Sequence, residues 1–100
     1  MNTLAVMRNY YGSVVALFPE LPGSRKPGDC LAYVWPAGGF QPLDYDKVMR
    51  NSRPAKTKEY REFLKALSKQ DFPVNLIQQA SPIMHERRKR AAEDYRPKEQ

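Results

Sequence analysis

Residues 57–70, TKEYREFLKALSKQ, decide the fold, because their spacing predicts a helix with one apolar face. Four large side chains recur at i, i+3, i+4 and i+7 and therefore share one side of an α-helix: Tyr60, Phe63, Leu64 and Leu67. The hydroxyl of Thr57 is placed to cap the first turn, and Pro73 prevents the helix from continuing. A helix this short is marginal alone, so we expect a sheet to cover its apolar face.

The remaining apolar segments are short and predict strands. They are residues 13–18, 30–35, 43–50 and 74–78. The first, SVVALF, is apolar on both faces, as a central strand would be. In the second, Leu31, Tyr33 and Trp35 share one face. Proline and glycine predict irregular loops over residues 19–29 and 36–42.

Three segments leave alternatives open. The N-terminal stretch, residues 1–12, forms either a strand that turns back through a hairpin at 9–12 or a frayed extension. Residues 43–50 are predicted as a strand, with a single helical turn as the alternative. Ser81 followed by Pro82 is typical of a helix start, so residues 81–100 form a basic helix or a tail.

Together these segments predict an α+β protein. We expect a small, mainly antiparallel sheet of three or four strands packed on one central helix at about 57–70, with a basic C-terminal helix or tail. The division along the chain is an extension or extra strand at 1–12, a single domain at 13–80 and the basic segment at 81–100. One hundred residues suffice for one modest core.

Composition narrows the functional classes. The formal net charge is +6, and residues 47–69 hold eight basic side chains against two acidic ones. The positive field therefore centres on the main helix and the chain that leads into it. No apolar run approaches ~18 residues, so no membrane span is expected. The single cysteine excludes a disulfide within the chain, and no secretory signal is recognisable, so we expect a cytoplasmic protein.

Basic side chains are the candidate binding residues, either for nucleic acid or for an acidic protein partner. Four project from the helix away from its apolar face, and four more form a run near the C-terminus. They are Lys58, Arg61, Lys65 and Lys69, then Arg87, Arg88, Lys89 and Arg90. The alternative is an ordinary solvated helix face for the first set, and for the second a tail whose cations pair with interleaved acids.

Aromatic residues around the second strand offer a possible partner patch: Tyr33, Trp35, Phe40 and Tyr45. If exposed, they would form a stacking or docking surface; the alternative places Tyr33 and Trp35 in the core beneath the helix.

Catalytic patterns are weak. Asp44 and Asp46 alternate along the predicted strand, but no third metal ligand or histidine accompanies them. Cys30 and His85 could form a nucleophile pair only if the fold brought these distant residues together.

Several short blocks resemble a group of small bacterial proteins. They are ALFPELP (16–22), CLAY (30–33), Asp44 and Tyr45 with Val48, SRPA (52–55), and Glu59 with Tyr60. The group is associated with proteobacterial genomes, plasmids and phages, and the likeness covers about residues 14–76. It implies a single-domain bacterial protein, and it supplies no active-site motif and no function.

The sequence thus favours a non-enzymatic accessory or regulatory binding protein of a bacterium or its mobile elements, acting through protein contacts. The alternative is a weakly specific DNA or RNA binder that uses the basic helix face and the RRKR run. We expect no metal, cofactor, membrane or small-molecule substrate. The expected partner is a protein, with an acidic surface as one possibility.

Overall fold

Six strands and three helices make up residues 3–95, the part of the chain that the computed structural model describes. The strands are β1 Thr3–Tyr10, β2 Ser13–Pro22, β3 Asp29–Trp35, β4 Gly39–Asp44, β5 Arg53–Pro54 and β6 Val74–Ile77. The helices are α1 Tyr45–Arg50, α2 Thr57–Lys69 and α3 Pro82–Glu93. The α+β class agrees with the expectation. The strands outnumber the three or four predicted, and three helices replace the single central one.

All six strands belong to one sheet. β4, β3, β2 and β1 are neighbours in that order and pair antiparallel. The far side of β1 is shared by two short strands. β5 pairs antiparallel with Arg8 and Asn9, whereas β6 pairs parallel with residues 3–6. The sheet is therefore mainly antiparallel, as predicted.

A tight hairpin connects β1 to β2, so the N-terminal strand alternative holds over the described residues. Tyr10 pairs with Ser13, and the two residues between them, Tyr11 and Gly12, have positive φ angles of 52° and 85°. Two positive φ values are what a two-residue hairpin requires. The side chain of Asn9 braces the turn by accepting a hydrogen bond from the Gly12 N–H at 3.1 Å.

The two faces of the sheet bury separate cores. On one face α2 packs its Phe63 and Leu67 against Ala16 and Phe18 of β2. On the other face α1 packs Tyr45 and Val48 against residues of β2 and β3. β2 is buried on both faces from Val14 to Phe18, which confirms the prediction of a central strand.

Helix α2 confirms the apolar face read from its spacing. Phe63 and Leu67 are fully buried, and Tyr60 and Leu64 are partly buried against the same core. The cap differs from the expectation, because the helix begins at Thr57 and the residue before it, Lys56, is the N-cap. The backbone N–H of Lys56 donates to the Glu59 carboxylate at 2.7 Å. A side chain inside the first turn therefore satisfies the helix end.

The strand predicted over residues 43–50 holds only for residues 43 and 44, and the loop predicted over 36–42 is confined to residues 36–38. A hairpin at Gly39, where φ is 68°, turns β3 into β4 earlier than expected. Asp44 then ends β4 and caps α1 by accepting a hydrogen bond from the Lys47 N–H at 3.1 Å. The helical alternative wins because Tyr45 and Val48, three residues apart, can then be buried together.

Helix α3 begins where Ser81 and Pro82 predicted. The Ser81 hydroxyl accepts a hydrogen bond from the Met84 N–H at 3.4 Å. The helix packs on β2, so residues 82–93 are part of the folded unit rather than a tail. The last part of the predicted basic segment, residues 96–100, lies outside the described residues.

Strand β2 is longer than predicted, because it continues through a bulge to Pro22.

Candidate partner-binding surface

Four cations line the outer side of α2. Lys58, Arg61, Lys65 and Lys69 are all exposed, and we call this set the cationic stripe. The last three follow one another at intervals of four residues and therefore lie one above the other along the helix. Only one ion pair joins the stripe to another described residue: Lys65 lies 3.6 Å from Glu62. Both of those side chains are mostly exposed, so the pair is weak.

Glu59, the other acid of α2, is occupied at the start of the helix. Arg53 donates to both of its carboxylate oxygens, at 2.9 and 2.7 Å. Asn9 of β1 and the Lys56 N–H also donate to this carboxylate. These contacts, led by the one from Arg53, lower the pKa of Glu59 from 4.5 to about 2. Glu59 therefore ties β1, β5 and α2 together and does not neutralise the cationic stripe.

The C-terminal basic run does not extend this surface. α2 and α3 lie on opposite faces of the sheet, because α2 belongs to the core of Phe63 and α3 contacts Tyr45 in the other core. Within the run, Arg87 pairs with Glu20 of β2 at 2.7 Å. Lys89 and Arg90 are exposed. The eight predicted binding residues are thus divided between two faces.

Arg88 is a structural residue. Its side chain is buried, with 3% of the residue exposed. Nε donates to the Pro27 carbonyl and Nη1 to the Pro19 carbonyl, both at 3.1 Å. The guanidinium carbon also lies 5.8 Å from the centre of the Tyr45 ring. Arg88 therefore fastens α3 to β2 and to the loop after it, and it is not available to a partner.

A sequence signal for this role existed. Arg88 and Ala92 are one turn apart and are the two buried residues of α3. Position 88 also lies one turn after Met84, so an apolar residue flanks it on each side along the same helix face. A basic residue on the apolar side of a helix indicates a bonded core residue, and its place within the RRKR run concealed that pattern.

The four aromatic residues do not form one exposed patch. The Trp35 ring is stacked on Phe63 at 5.3 Å, and Tyr33 lies 5.2 Å from the same ring. These two therefore belong to the core beneath α2, the alternative stated above. Phe40 is 45% exposed and contacts Tyr33 edge-on. Tyr45 is buried on the opposite face, where its hydroxyl accepts a hydrogen bond from the Ala80 N–H.

The candidate catalytic residues do not form an activated site. Cys30 is fully buried, and burial raises the pKa of its thiol to about 12, so the thiol stays protonated at neutral pH. Burial and the nearby Arg88 lower the pKa of His85. Asp44 is the cap of α1, while Asp46 is exposed in its first turn. Within residues 3–95 no three His, Cys, Asp or Glu side chains come together as a metal site.

The described residues form at least two concavities that are open to solvent. The larger, of about 360 Å³, lies between α1, α3 and Gly28, and it mixes the carboxylates of Asp46 and Glu86 with the cations Arg88 and Lys89. The smaller, of about 60 Å³, lies beside β6 at the edge of the sheet, and we call it the edge notch. Residues of β1, the β5 region, α2 and β6 line this notch, among them Met7, Ala55, Tyr60, Leu76 and Ile77.

Searches for similar proteins found no matching protein-family model, no matching curated protein and no matching solved structure. Among the described residues, none of the helices combines the length and apolar character that crossing a bilayer requires.

Proposed function

We propose that this chain is a non-enzymatic accessory or regulatory binding protein of a bacterium or its mobile elements. It docks on an acidic surface of a protein partner through the cationic stripe on α2. Cytoplasmic residence is part of this proposal. The observation that supports it most is a column of three cations, Arg61, Lys65 and Lys69, on a helix that uses its other side for packing.

The energetics of the column support a binding role. Like charges at i,i+4 destabilise a helix by about 0.2–0.5 kcal/mol per pair. Arg61 with Lys65 and Lys65 with Lys69 are two such pairs, and only Glu62 offsets them among the described residues. Lys69 in the last turn interacts favourably with the helix dipole, so the net contribution of the column to the fold is small. A partner that presents carboxylates would relieve the repulsion and gain charge-assisted contacts.

An acidic protein surface suits the stripe better than a phosphate backbone does. Glu62 lies among the four cations, and a protein partner can place a basic side chain opposite this carboxylate. A nucleic acid backbone presents only anions along its length. The split of the predicted basic residues between two faces also reduces the number of cations that one duplex could contact at once. Nucleic-acid binding through the stripe, with Lys89 and Arg90 on the other face, remains the second candidate.

Photocrosslinking from the middle of the stripe tests the proposal. A benzophenone amino acid replaces Glu62, and a control chain places it at Glu86, which is exposed on α3. In the cells that naturally make the protein, we expect a protein adduct from position 62 and none of the same mass from position 86. Replacing Lys58, Arg61, Lys65 and Lys69 by glutamine should abolish the adduct, whereas replacing Lys89 and Arg90 should not.

Two outcomes would overturn the proposal. One is the absence of any protein adduct specific to position 62. The other is an adduct that survives neutralisation of the stripe. For the second candidate, fluorescence anisotropy with a labelled duplex and a labelled single-stranded RNA is decisive. Phosphate-driven binding would weaken with salt, with a log–log slope of about −0.9 per neutralised phosphate on duplex DNA. No binding to either probe at about 50 mM salt would eliminate that candidate.

A further inference from the structure

The outer edge of β6 is open. Thr3 donates its N–H to the Pro73 carbonyl at 3.2 Å and is paired with Val74. In a parallel ladder this pattern directs residues 73, 75 and 77 toward β1 and the backbone groups of Val74 and Leu76 away from it. Those outward N–H and C=O groups have no hydrogen-bond partner among residues 3–95. They are therefore free to pair with another strand.

The other exposed edges are protected, whereas β6 is not. β4 contains Pro42 and the two-residue β5 contains Pro54, and proline cannot donate to a ladder. β6, with the sequence VNLI, contains neither proline nor a charged residue. Natural proteins usually block such edges to prevent unwanted pairing. An unblocked edge beside two blocked ones is consistent with a strand that serves to bind.

Two features beside this edge would select among the side chains of an added strand. The edge notch lies next to it and offers about 60 Å³ lined partly by Tyr60 and Leu76, room for one small side chain. Leu76 itself is 40% exposed. Helix α2 leads back into β6, so Lys69 lies near the start of β6 and Tyr60 lies beside Leu76. Helix α2, which carries the cationic stripe on its outer side, therefore runs next to β6.

We propose that β6 accepts an extended, acidic segment of a partner protein as an added strand. This inference rests on the proposed function and specifies the partner of that same surface. Outward backbone groups of Val74 and Leu76 hold the segment, the notch takes a small side chain, and the stripe attracts its carboxylates. A second copy of the chain is the poorer occupant, because pairing two β6 edges would bring two cationic helices toward each other.

Peptide probes test strand addition directly. The first probe is a fluorescein-labelled peptide of alternating valine and glutamate. The second has the same composition with the glutamates in one block, and the third replaces glutamate by lysine. We expect the alternating acidic peptide to bind at least about tenfold more tightly than the other two. Amide resonances of residues 74–78 should shift on binding, while those of β4 should not.

Leu76→Pro is the decisive variant. It removes an N–H that points away from β1, so the pairing of β6 with β1 is retained and the melting temperature should change little. Affinity for the alternating peptide should fall about tenfold, the effect of one lost backbone hydrogen bond in a short strand. Leu76→Ala is the matched control, because it shortens the same side chain but keeps the N–H.

Failure of strand addition is distinguishable from failure of the proposed function. Equal binding of the peptide to the Leu76→Pro variant, shifts confined to β4, or a concentration-dependent dimer in sedimentation would each overturn strand addition. If the adduct from position 62 forms in the Leu76→Pro chain in undiminished yield, acidic docking through α2 stands and strand addition falls. If no adduct forms from position 62, the proposed function falls, and this inference falls with it.

Discussion

Helices α2 and α3 cover opposite faces of one sheet and use their cations in opposite ways. α2 is held by aromatic packing, with Phe63 enclosed by Trp35, Tyr33 and the buried side chains of β1 and β2. α3 has only Ala92 as a buried apolar residue, and it is held by the guanidinium of Arg88 and the pair of Arg87 with Glu20.

This difference explains which charges are free. Because aromatic packing holds α2 on the sheet, the fold does not use the lysines and arginines of this helix, and they remain exposed. A helix with a thin apolar side uses its arginines to satisfy carbonyls and carboxylates of the sheet. By their numbers of basic residues the two helices look alike. Only on α2, however, do the cations form a column that the fold does not use. Four predictions test this contrast, from the largest expected effect to the smallest.

Removing the ring that anchors α2 should have the largest effect. Phe63→Ala is expected to lower the free energy of unfolding by about 3–5 kcal/mol, the usual cost of an emptied aromatic site. Urea denaturation followed by Trp35 fluorescence measures it, since the two rings are stacked. Ile83→Ala, on the exposed side of α3, is the control and should stay within about 0.5 kcal/mol of the unmodified protein. Similar losses for both variants would contradict the assignment.

Removing the anchor of α3 should be almost as costly. Arg88→Met leaves the Pro19 and Pro27 carbonyls without donors, and we expect a loss of about 2–5 kcal/mol in the same urea measurement. Arg88→Lys should recover only part, because one ammonium cannot reproduce the planar fork. Arg90→Met changes an exposed member of the same run and should be nearly neutral. Equal effects at positions 88 and 90 would refute the structural role.

Acid should weaken the start of α2 through Glu59. Its folded pKa is lowered to about 2 from 4.5, so its contribution is fully present above pH 4.5 and is lost as the pH falls toward about 2. A Glu59→Gln variant should be less stable near neutral pH and should lose less stability on acidification across that window. Melting temperatures of both chains measured from neutral to acid pH check this. Parallel curves would show that Glu59 is not the group responsible, and Glu62→Gln serves as the exposed control.

Neutralising the stripe should leave stability almost unchanged. Replacing Lys58, Arg61, Lys65 and Lys69 by glutamine relieves two like-charge pairs and removes one weak ion pair, so we expect a change within about 0.5 kcal/mol. Urea denaturation measures it, and circular dichroism confirms that the helix is intact. A loss of several kcal/mol would mean that these cations are structural, and the contrast with α3 would disappear.

Local patterns in the sequence predicted the parts of the fold that depend on near neighbours. The apolar face of α2 follows from a repeat within one helix, and the start of α3 follows from Ser81 and Pro82. The double burial of β2 follows from a run with no polar face. In each case the residues that decide the structure lie within a few positions of one another.

The errors arose where two local patterns competed or where partners are far apart in the chain. Residues 43–50 alternate well enough to resemble a strand, but the Asp44 cap and the joint burial of Tyr45 and Val48 favour a helix. The spacing of Arg88 from Met84 and Ala92 pointed to burial, but its carbonyl partners, Pro19 and Pro27, lie more than sixty residues away and could not be read from the sequence. The open edge of β6 was invisible, because it is defined by pairing with a strand at the other end of the chain.

That long-range pairing also constrains the order in which the chain can fold. Thr3 pairs with Val74, so residues 3–6 of β1 gain their second neighbour only after a segment some seventy residues later has been synthesised, whereas β5 can pair with Arg8 and Asn9 earlier. Until then the outer edge of β1 at Ala5 and Val6 has no pairing strand on the ribosome. Closing so large a loop is entropically expensive and slow. We therefore expect a hairpin of the first two strands to form during translation, and the complete sheet to form only after the last strand has left the exit tunnel.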